Sequence, residues 1–352
     1  MLLIHRMILK ELVSSFVIAL LFLNFALMME KLLKLSRLLS GVGASLLDIG
    51  KIVLYLQPQI CILTIPMAFL LSVLLTFGRM NADNELTVLK ASGISLKKIS
   101  RPVLYVGIVC LVLSLAMSFY LSPKGSMHLR TKVTEILTVR APMTIEEGVF
   151  NTAFKDIVIL VKSKPEPEKL AGIFIVDERK KEEPKIILAK NGSIVTDNDA
   201  ISFTLISGQA YITKGDTITE ITFGRYNFRL NPTLDPGEKK NRELTPLQLL
   251  KEAKEPGKAV NSYLELHRRF SLPAICLIIV FLGPPLSLVA GRSGRLGGLT
   301  IGLAVFAFYY ALLIFGENLV RAGRLPHFAG AWLSFTILVA FSIFIYERVN
   351  RR

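Results

Sequence analysis

The stretch Gly78–Arg101, "GRMNADNELTVLKASGISLKKISR", lies between two long apolar segments and is therefore expected at a membrane surface. Asp83 suits the N-cap of a helix, and Glu85 falls in the first turn, where negative charge complements the helix dipole. Gly93 is placed to end the helix in a left-handed conformation. One side of this helix carries a stripe at helical spacing: Ala82, Leu86, Leu89 and Gly93. The pattern predicts a short amphipathic helix over residues 82–93.

The rest of the chain has the composition of a membrane protein. It has 352 residues, 52% of them hydrophobic, and a mean hydropathy of +0.51. A membrane-spanning helix needs about 20 mostly apolar residues. Six segments meet that requirement: Leu12–Met29, Ile52–Phe77, Pro102–Leu121, Phe270–Ala290, Gly298–Leu319 and Ala329–Tyr346. The net charge of +15 does not indicate a nucleic-acid-binding protein, because much of the charge flanks these segments.

Basic residues in the short loops predict the orientation of the spans, because cytoplasmic loops are enriched in lysine and arginine. If the N-terminus is cytoplasmic, twelve basic residues lie inside: Arg6, Lys10, Arg79, Lys90, Lys97, Lys98, Arg101, Arg292, Arg295, Arg348, Arg351 and Arg352. Six lie in the short outer loops: Lys31, Lys34, Arg37, Lys51, Arg321 and Arg324. We therefore expect both termini in the cytoplasm of a bacterial cell, with the protein in the inner membrane. Ser95 is expected inside and Asn198 outside.

A long polar region separates the third and fourth apolar segments. It is rich in β-branched and aromatic residues and is punctuated by turn signals such as Asn-Gly and Lys-Gly-Asp. Roughly eight or nine short strands are predicted between Ile145 and Leu230, which suits a β-sandwich or jelly roll. The predicted fold is an α-helical membrane protein with six transmembrane helices (3+3) and an inserted periplasmic all-β jelly-roll-like domain. The predicted boundaries are 1–121 and 270–352 for the transmembrane halves and 122–269 for the periplasmic domain with its connecting helices.

Motifs for catalysis are not found in this sequence. It contains no Gly-x-x-x-x-Gly-Lys-Ser/Thr loop and no Gly-x-Ser-x-Gly elbow, so we expect the chain not to hydrolyse ATP by itself. Four histidines are scattered without metal-ligand spacing: His5, His128, His267 and His327. No catalytic residue, metal or cofactor is predicted. The spans hold few ionisable groups, which disfavours an ion-coupled carrier. The main one is Glu317, for which an i,i+4 ion pair with Arg321 is a sufficient explanation.

Three stretches resemble one known family. "FGRMNADNELTVLKASGIS" is similar to the segment after the second span of the LptF/LptG permeases, the membrane subunits of the lipopolysaccharide export ABC transporter. "IPMAFLLSVLLTFGRM" resembles their second span, and "ELHRRFSLPAICLIIVFLGPPLSL" followed by "AGRSGRLGG" resembles their fourth span and next loop. "IEEGVFN" leans weakly toward LptF. The resemblance implies a permease that works with LptB-like ABC ATPase subunits and a second LptF/LptG-type permease. It also implies passage of lipopolysaccharide through β domains to LptC/LptA-like periplasmic bridge proteins.

The resemblance makes residues 82–93 a coupling helix that docks onto the ATPase subunit. The residues expected to bind that partner are Asp83, Glu85, Leu86, Leu89 and Gly93. The apolar stripe is expected to need a partner, and Glu85 at its edge to meet a basic residue there. The alternative is an interfacial helix that lies on lipid, which the flanking basic residues would also suit.

Basic residues at the end of the first span form a second candidate site. Lys31, Lys34 and Arg37 share one sector of a helix, and lysine suits the phosphates of a lipid as a flexible point charge. The resemblance implies that such residues hold lipopolysaccharide, and Arg321 is a weaker candidate. Two alternatives stay open. Basic residues commonly snorkel at span ends, and Glu30 can pair with Lys34 at i,i+4.

The aromatic residues of the polar region have two explanations. They line an apolar lipid groove, or they form an ordinary sandwich core: Phe150, Phe154, Phe203, Tyr211, Phe223, Tyr226 and Phe228. A different class of function also stays open for the whole chain. It is a membrane-anchored scaffold whose β domain binds a periplasmic partner and which transports nothing.

Overall fold

The computed structural model describes most of the chain. The described residues are 2–39, 45–144, 147–154, 156–166, 168–179, 182–197, 200–214, 217–230, 241–255, 257–289 and 294–350. Among the predicted positions, the following lie outside them: Ile145, Asn198, Ala290, Arg292, Arg351 and Arg352. The described chain divides into two compact units. The membrane unit comprises Met1–Met29, Tyr55–Met127 and Gly237–Arg352, and the β unit comprises Glu30–Leu54 and His128–Pro236.

The described helices comprise long helices that cover the predicted apolar segments and other helices that connect them. They are α1 (Leu2–Leu39), α2 (Leu46–Ala82), α3 (Glu85–Ala91), α4 (Leu96–Ile99), α5 (Arg101–Ala116), α6 (Ser122–Thr144), α7 (Pro246–Glu252), α8 (Ala259–Val289), α9 (Gly294–Arg321) and α10 (His327–Asn350). A π-helical turn, Met117–Leu121, joins α5 to α6 without a break. Six stretches are long and apolar enough to cross a membrane: Leu3–Leu35, Leu46–Ala82, Arg101–Ile136, Ala259–Leu288, Gly297–Arg321 and His327–Arg348. The six predicted spans are therefore confirmed.

The core of the membrane unit is built on α2 and α8. In the most apolar stretch of α2, 72% of the residues are buried, and in that of α8, 78% are buried. The corresponding share for α1 is 22%, so α2 and α8 lie inside the bundle. Small residues let the helices approach closely, as is usual where spans pack in lipid. A Cβ on Gly316 of α9 would lie 2.2 Å from the carbonyl oxygen of Gly330 of α10. The α9–α10 contact therefore depends on glycine at both positions.

The inserted region is all-β, as predicted. Its described strands are β1 (Phe150–Phe154), β2 (Ile157–Glu166), β3 (Lys169–Asp177), β4 (Lys185–Asp197), β5 (Ala200–Lys214) and β6 (Thr217–Leu230). They pair antiparallel in sequential order in one six-stranded sheet. The described residues form six strands instead of the predicted eight or nine, and one of the extra strands arose because Asn191-Gly192 is not a turn but lies inside β4. Gly192 is needed there, since a Cβ would lie 2.6 Å from Ile173 and 2.9 Å from the Thr204 carbonyl oxygen.

Alternate residues of the strands form the core of the β unit. Ile157, Ile159 and Val161 of β2 point into it at the strand period of two. Phe203 and Phe228, directly opposite each other on β5 and β6, are buried with their ring centroids 6.2 Å apart. Phe223 and Tyr226 pack against this core, whereas Phe150 is exposed. The core explanation therefore holds for four of the predicted aromatics: Phe203, Phe223, Tyr226 and Phe228.

Candidate functional site

Helix α3 is the predicted surface helix, although its start differs from the prediction. It begins at Glu85 after Asn84, whose φ of 58° and ψ of 10° are left-handed. No side-chain hydrogen bond caps it, so Asp83 is not the cap. The Asp83 carboxylate instead accepts a hydrogen bond of 2.9 Å from Arg79. Ala82 is the last residue of α2 and does not belong to the α3 stripe.

The end of α3 is confirmed in detail. Gly93 has a φ of 78°, which a residue with a side chain rarely adopts. Its N–H donates to the Lys90 carbonyl at 2.9 Å, and the Ile94 N–H donates to the Leu89 carbonyl at 3.1 Å. These two bonds are the Schellman pattern, and both Leu89 and Ile94 pack against the membrane-unit core. The helix is thus closed at its C-terminus by glycine and held down by apolar contacts.

Arg79, in the last turn of α2, connects α3 to two other helices. Its guanidinium binds both carboxylate oxygens of Glu11 on α1, one of them at 2.6 Å. It also donates to Asp83 at 2.9 Å and to Glu85 at 2.9 Å. A planar guanidinium with five N–H donors is suited to such several-fold contact with carboxylates. We call Arg79, Glu11, Asp83 and Glu85 the Arg79 cluster.

The apolar stripe of α3 faces the chain's own core. Leu86 is fully buried, among the same core residues that include Met80 and Ile99. Leu86 is therefore covered by the chain's own core, and a contact between Leu86 and a partner protein stays a prediction. The opposite side of α3 presents Val88, which is 63% exposed. Any partner that docks on α3 contacts the face that carries Val88.

The basic residues at the end of the first span are more exposed than the Arg79 cluster. Lys34 lies on α1 and pairs with Glu30 at 2.5 Å, the i,i+4 contact that was left open as an alternative. The side chains of Lys34 and Glu30 are 69% and 53% exposed. Lys31 is also exposed, and the side chain of Arg37 lies outside the described part of the chain. An exposed pair of this kind contributes little to stability, so another anion can replace Glu30 at little cost.

Glu317 has an ion-pair partner on another helix. It is buried on α9, with its Oε1 3.6 Å from the Arg268 Nε on α8. Arg321 lies one turn further on and lines a small polar cavity of about 40 Å³ with Arg242, Arg268 and Glu317. The Glu317–Arg268 ion pair joins α8 to α9, which a sequence pattern within one helix does not reveal.

Two of the scattered histidines meet in the structure. His267 Nε2 on α8 lies 3.1 Å from His327 Nδ1 on α10, and the Trp332 indole N–H donates to His267 Nδ1 at 3.3 Å. Because indole only donates, His267 Nδ1 is the acceptor in the contact with Trp332, and the His267–His327 contact joins α8 to α10. Within the described ranges no three potential metal ligands come together.

The fold and this site define a class of protein: a multi-pass membrane protein with an inserted β domain and a surface helix tied to its first two spans. The chain matches the family described as "Lipopolysaccharide export system permease LptF/LptG" over residues 6–348. The chain belongs to this family and is a permease component of lipopolysaccharide export. It is also similar to an uncharacterized protein of Rickettsia prowazekii (strain Madrid E), with 24% identity over 369 residues that cover 100% of both chains.

Proposed function

We propose that this permease is the membrane subunit of an ATP-driven exporter, in which an LptB-like ABC ATPase docks on α3 and hydrolyses the ATP. The observation that carries the proposal is the Arg79 cluster, which joins α3 to α1 and α2 through Glu85 and Glu11. A surface helix that only lies on lipid has no need of such a connection. In this account α3 and both chain termini lie in the cytoplasm, and the membrane is the inner membrane.

The anchoring of α3 supports a role as a rigid lever. The seven-residue helix is held at its start by Arg79, in its middle by the buried Leu86 and at its end by the Gly93 cap. A force on the exposed face therefore moves α1 and α2 rather than deforming α3. We propose that this movement closes a lipid cavity bordered by the first, second and fifth spans.

The exposed cations of α1 are the proposed contacts for the lipid phosphates. Lys34 and Lys31 project into solvent, and Glu30 is the neighbour that a phosphate has to displace from Lys34. Phosphate carries more charge than a carboxylate and offers more acceptor oxygens, so the exchange is favourable. Arg37, on the same sector, and separately Arg321 complete the proposed set. The β unit then passes the lipid to LptC/LptA-like bridge proteins, in a complex with a second LptF/LptG-type permease.

A substitution on the exposed face of α3 tests the docking directly. Val88→Asp adds charge where the ATPase should bind, without touching the Arg79 cluster or the core. Val260→Asp is the matched control, because Val260 is 44% exposed in the first turn of α8. We expect Val88→Asp to lower co-purification of an ABC ATPase and lipid-stimulated ATP turnover, and Val260→Asp to leave both unchanged. Equal ATPase recovery with both variants contradicts the proposal.

Glu85 offers a second and less direct test. Glu85→Ala removes one carboxylate from Arg79, and Glu85→Lys sets a cation against it. We expect both variants to insert into the membrane and the lysine variant to lose more ATPase. Normal assembly and transport in the lysine variant would show that α3 does not dock through this side.

The proposed orientation has its own measurement. Ser95→Cys on the exposed turn after α3 should react with a membrane-impermeant maleimide only from the cytoplasmic side. Asn198 lies outside the described residues, so Lys190→Cys, exposed on β4, replaces it as the outer position. Labelling of Lys190→Cys from the cytoplasm would overturn the orientation and with it the ATPase docking.

A further inference from the structure

An apolar groove with a basic rim lies at the end of the membrane unit where α4 and α5 begin and α8 and α10 end. Its volume is about 330 Å³, which is within the range of roughly 300–1,000 Å³ typical of ligand pockets. Leu104 and Phe281 line it and are 40% and 61% exposed, so the groove opens to the outside of the unit. None of the residues assigned to ATPase or lipopolysaccharide lines it. We infer that this groove binds an anionic phospholipid, with an acyl chain on the apolar wall and the phosphate at Lys97 and Arg101.

The rim supplies the charge that such a lipid needs. Lys97 and Arg101 both line the groove and are exposed, and within the described ranges neither has an ion-pair partner. The Lys97 ammonium lies 6.0 Å from the ring centroid of Tyr346 on α10, which positions it over the groove rather than away from it. A lysine and an arginine exposed at the rim of an apolar groove attract a phosphate.

The apolar wall has a physical origin in α8. Pro284 and Pro285 are consecutive inside the helix and have no N–H. The carbonyls of Val280 and Phe281, which also line the groove, therefore lose their helical donors. Pro284 and Pro285 themselves line the groove, and their ring carbons stand where other residues would present N–H groups, which makes this wall apolar.

The position of the groove favours phospholipid over a soluble anion. Arg101 is the first residue of one candidate span, and Tyr346 lies two residues before the end of another. The groove is thus at the level of the headgroups, where basic pockets between spans bind anionic lipids. A free phosphate would use the rim and leave the apolar wall in contact with water, whereas a phospholipid covers both.

Native mass spectrometry of the full-length permease, with the subunits that co-purify, tests this inference. The delipidated protein is titrated with dioleoyl phosphatidylglycerol and, separately, with dioleoyl phosphatidylcholine. We expect the wild type to prefer phosphatidylglycerol, and Lys97→Gln/Arg101→Gln to bind it roughly tenfold more weakly, since a charge-assisted contact is worth at least that factor. Arg6→Gln/Lys98→Gln, which removes one arginine and one lysine at exposed sites outside the groove, should bind like the wild type.

A groove-filling variant keeps the test independent of charge. Leu104→Trp should reduce binding of both lipids while Lys97 and Arg101 remain in place. The inference is overturned if Lys97→Gln/Arg101→Gln retains full phosphatidylglycerol binding, or if inorganic phosphate competes as well as the lipid. It is also overturned if the double variant loses a protein subunit instead of lipid, because the groove is then a protein interface. Each of these results leaves the Val88 test of ATPase docking untouched.

Discussion

Arg79 and Lys34 are both cations near the ends of membrane-spanning helices, and each has an acidic residue within hydrogen-bonding distance. The side chain of Arg79 is 24% exposed and contacts three carboxylates on three segments of the chain. The side chain of Lys34 is 69% exposed and contacts one carboxylate a single turn away on its own helix. The charge of Arg79 is therefore committed to holding α3, whereas that of Lys34 remains available to a ligand. Charge and position at a span end do not distinguish these roles, but burial and the number of partners do.

Removing the apolar anchor of α3 should have the largest effect on stability. Leu86→Ala leaves a cavity at a fully buried site, which typically costs about 2–5 kcal/mol. We expect the amide protons of α3 to exchange faster with solvent, while those of α8 keep their protection. Val88→Ala is the control on the exposed face and should change stability by less than about 0.5 kcal/mol. Equal exchange in both variants would mean that burial does not hold α3.

Breaking the Arg79 cluster should have the next largest effect. Arg79→Ala leaves Glu11 and Glu85 partly buried without their cation, and we expect a loss of about 2–3 kcal/mol in detergent. Arg79→Lys keeps the charge but cannot bind several carboxylates in one plane, so its loss should be intermediate. A double-mutant cycle of Arg79→Ala with Glu11→Gln measures the coupling. A coupling energy near zero would place Arg79 in the same category as Lys34.

The Asp177–Arg179 ion pair lies between Arg79 and Lys34 in the exposure of its cation. Asp177 on β3 is buried and binds Arg179, whose side chain is 43% exposed. Burial alone raises the pKa of Asp177, but the hydrogen bonds and charge of Arg179 outweigh it, and the pKa lies below its ordinary value of 3.8. The stabilisation is therefore present above pH 3.8 and is lost as the pH falls through the lower, folded pKa.

The measurement for this pair is hydrogen exchange in β3 of the full chain as a function of pH. We expect Asp177→Asn to reduce protection at pH 7 and to differ less from the wild type as the solution becomes more acidic. Glu166→Gln is the control, because Glu166 pairs with Lys169 at an exposed site of the same sheet. A difference between wild type and Asp177→Asn that grows on acidification would contradict the sign of the shift.

Substitution of Lys34 should have the smallest effect on stability. Lys34→Ala breaks an exposed i,i+4 pair, and we expect no measurable loss of stability. If Lys34 holds a phosphate, the amount of co-purified lipopolysaccharide should nevertheless fall about tenfold or more. Lys34→Asp should reduce it further, and Lys34→Arg should be tolerated. Full lipid retention by both the alanine and aspartate variants would make Lys34 a snorkelling residue.

The sequence was sufficient for the parts of the fold that depend on local periodicity. The six spans, the all-β insertion and the Gly93 cap follow from apolar length, strand composition and one glycine. The number of strands did not follow, because Asn191-Gly192 has the composition of a turn but is required inside β4 by a close contact. Local signals cannot separate these two uses of glycine.

The surface that covers the apolar face of α3 could not be predicted, for a related reason. An amphipathic stripe shows that one face is buried, but it does not say whether the covering surface belongs to the same chain. Leu86 packs on the chain's own core, and the Asp83 carboxylate accepts a hydrogen bond from Arg79 instead of capping the helix. The His267–His327 and Arg268–Glu317 contacts were missed because their partners are on different helices.

We propose above all that the exposed face of α3, which carries Val88, contacts an ABC ATPase. A photoreactive amino acid placed at Val88 in the full-length permease in living cells tests it most directly. Val260, exposed at the start of α8, is the control position. We expect a crosslink from Val88 to a subunit carrying a Gly-x-x-x-x-Gly-Lys-Ser/Thr loop, and none from Val260. Crosslinks from Val88 to lipid alone, or to that subunit from both positions equally, would contradict the account.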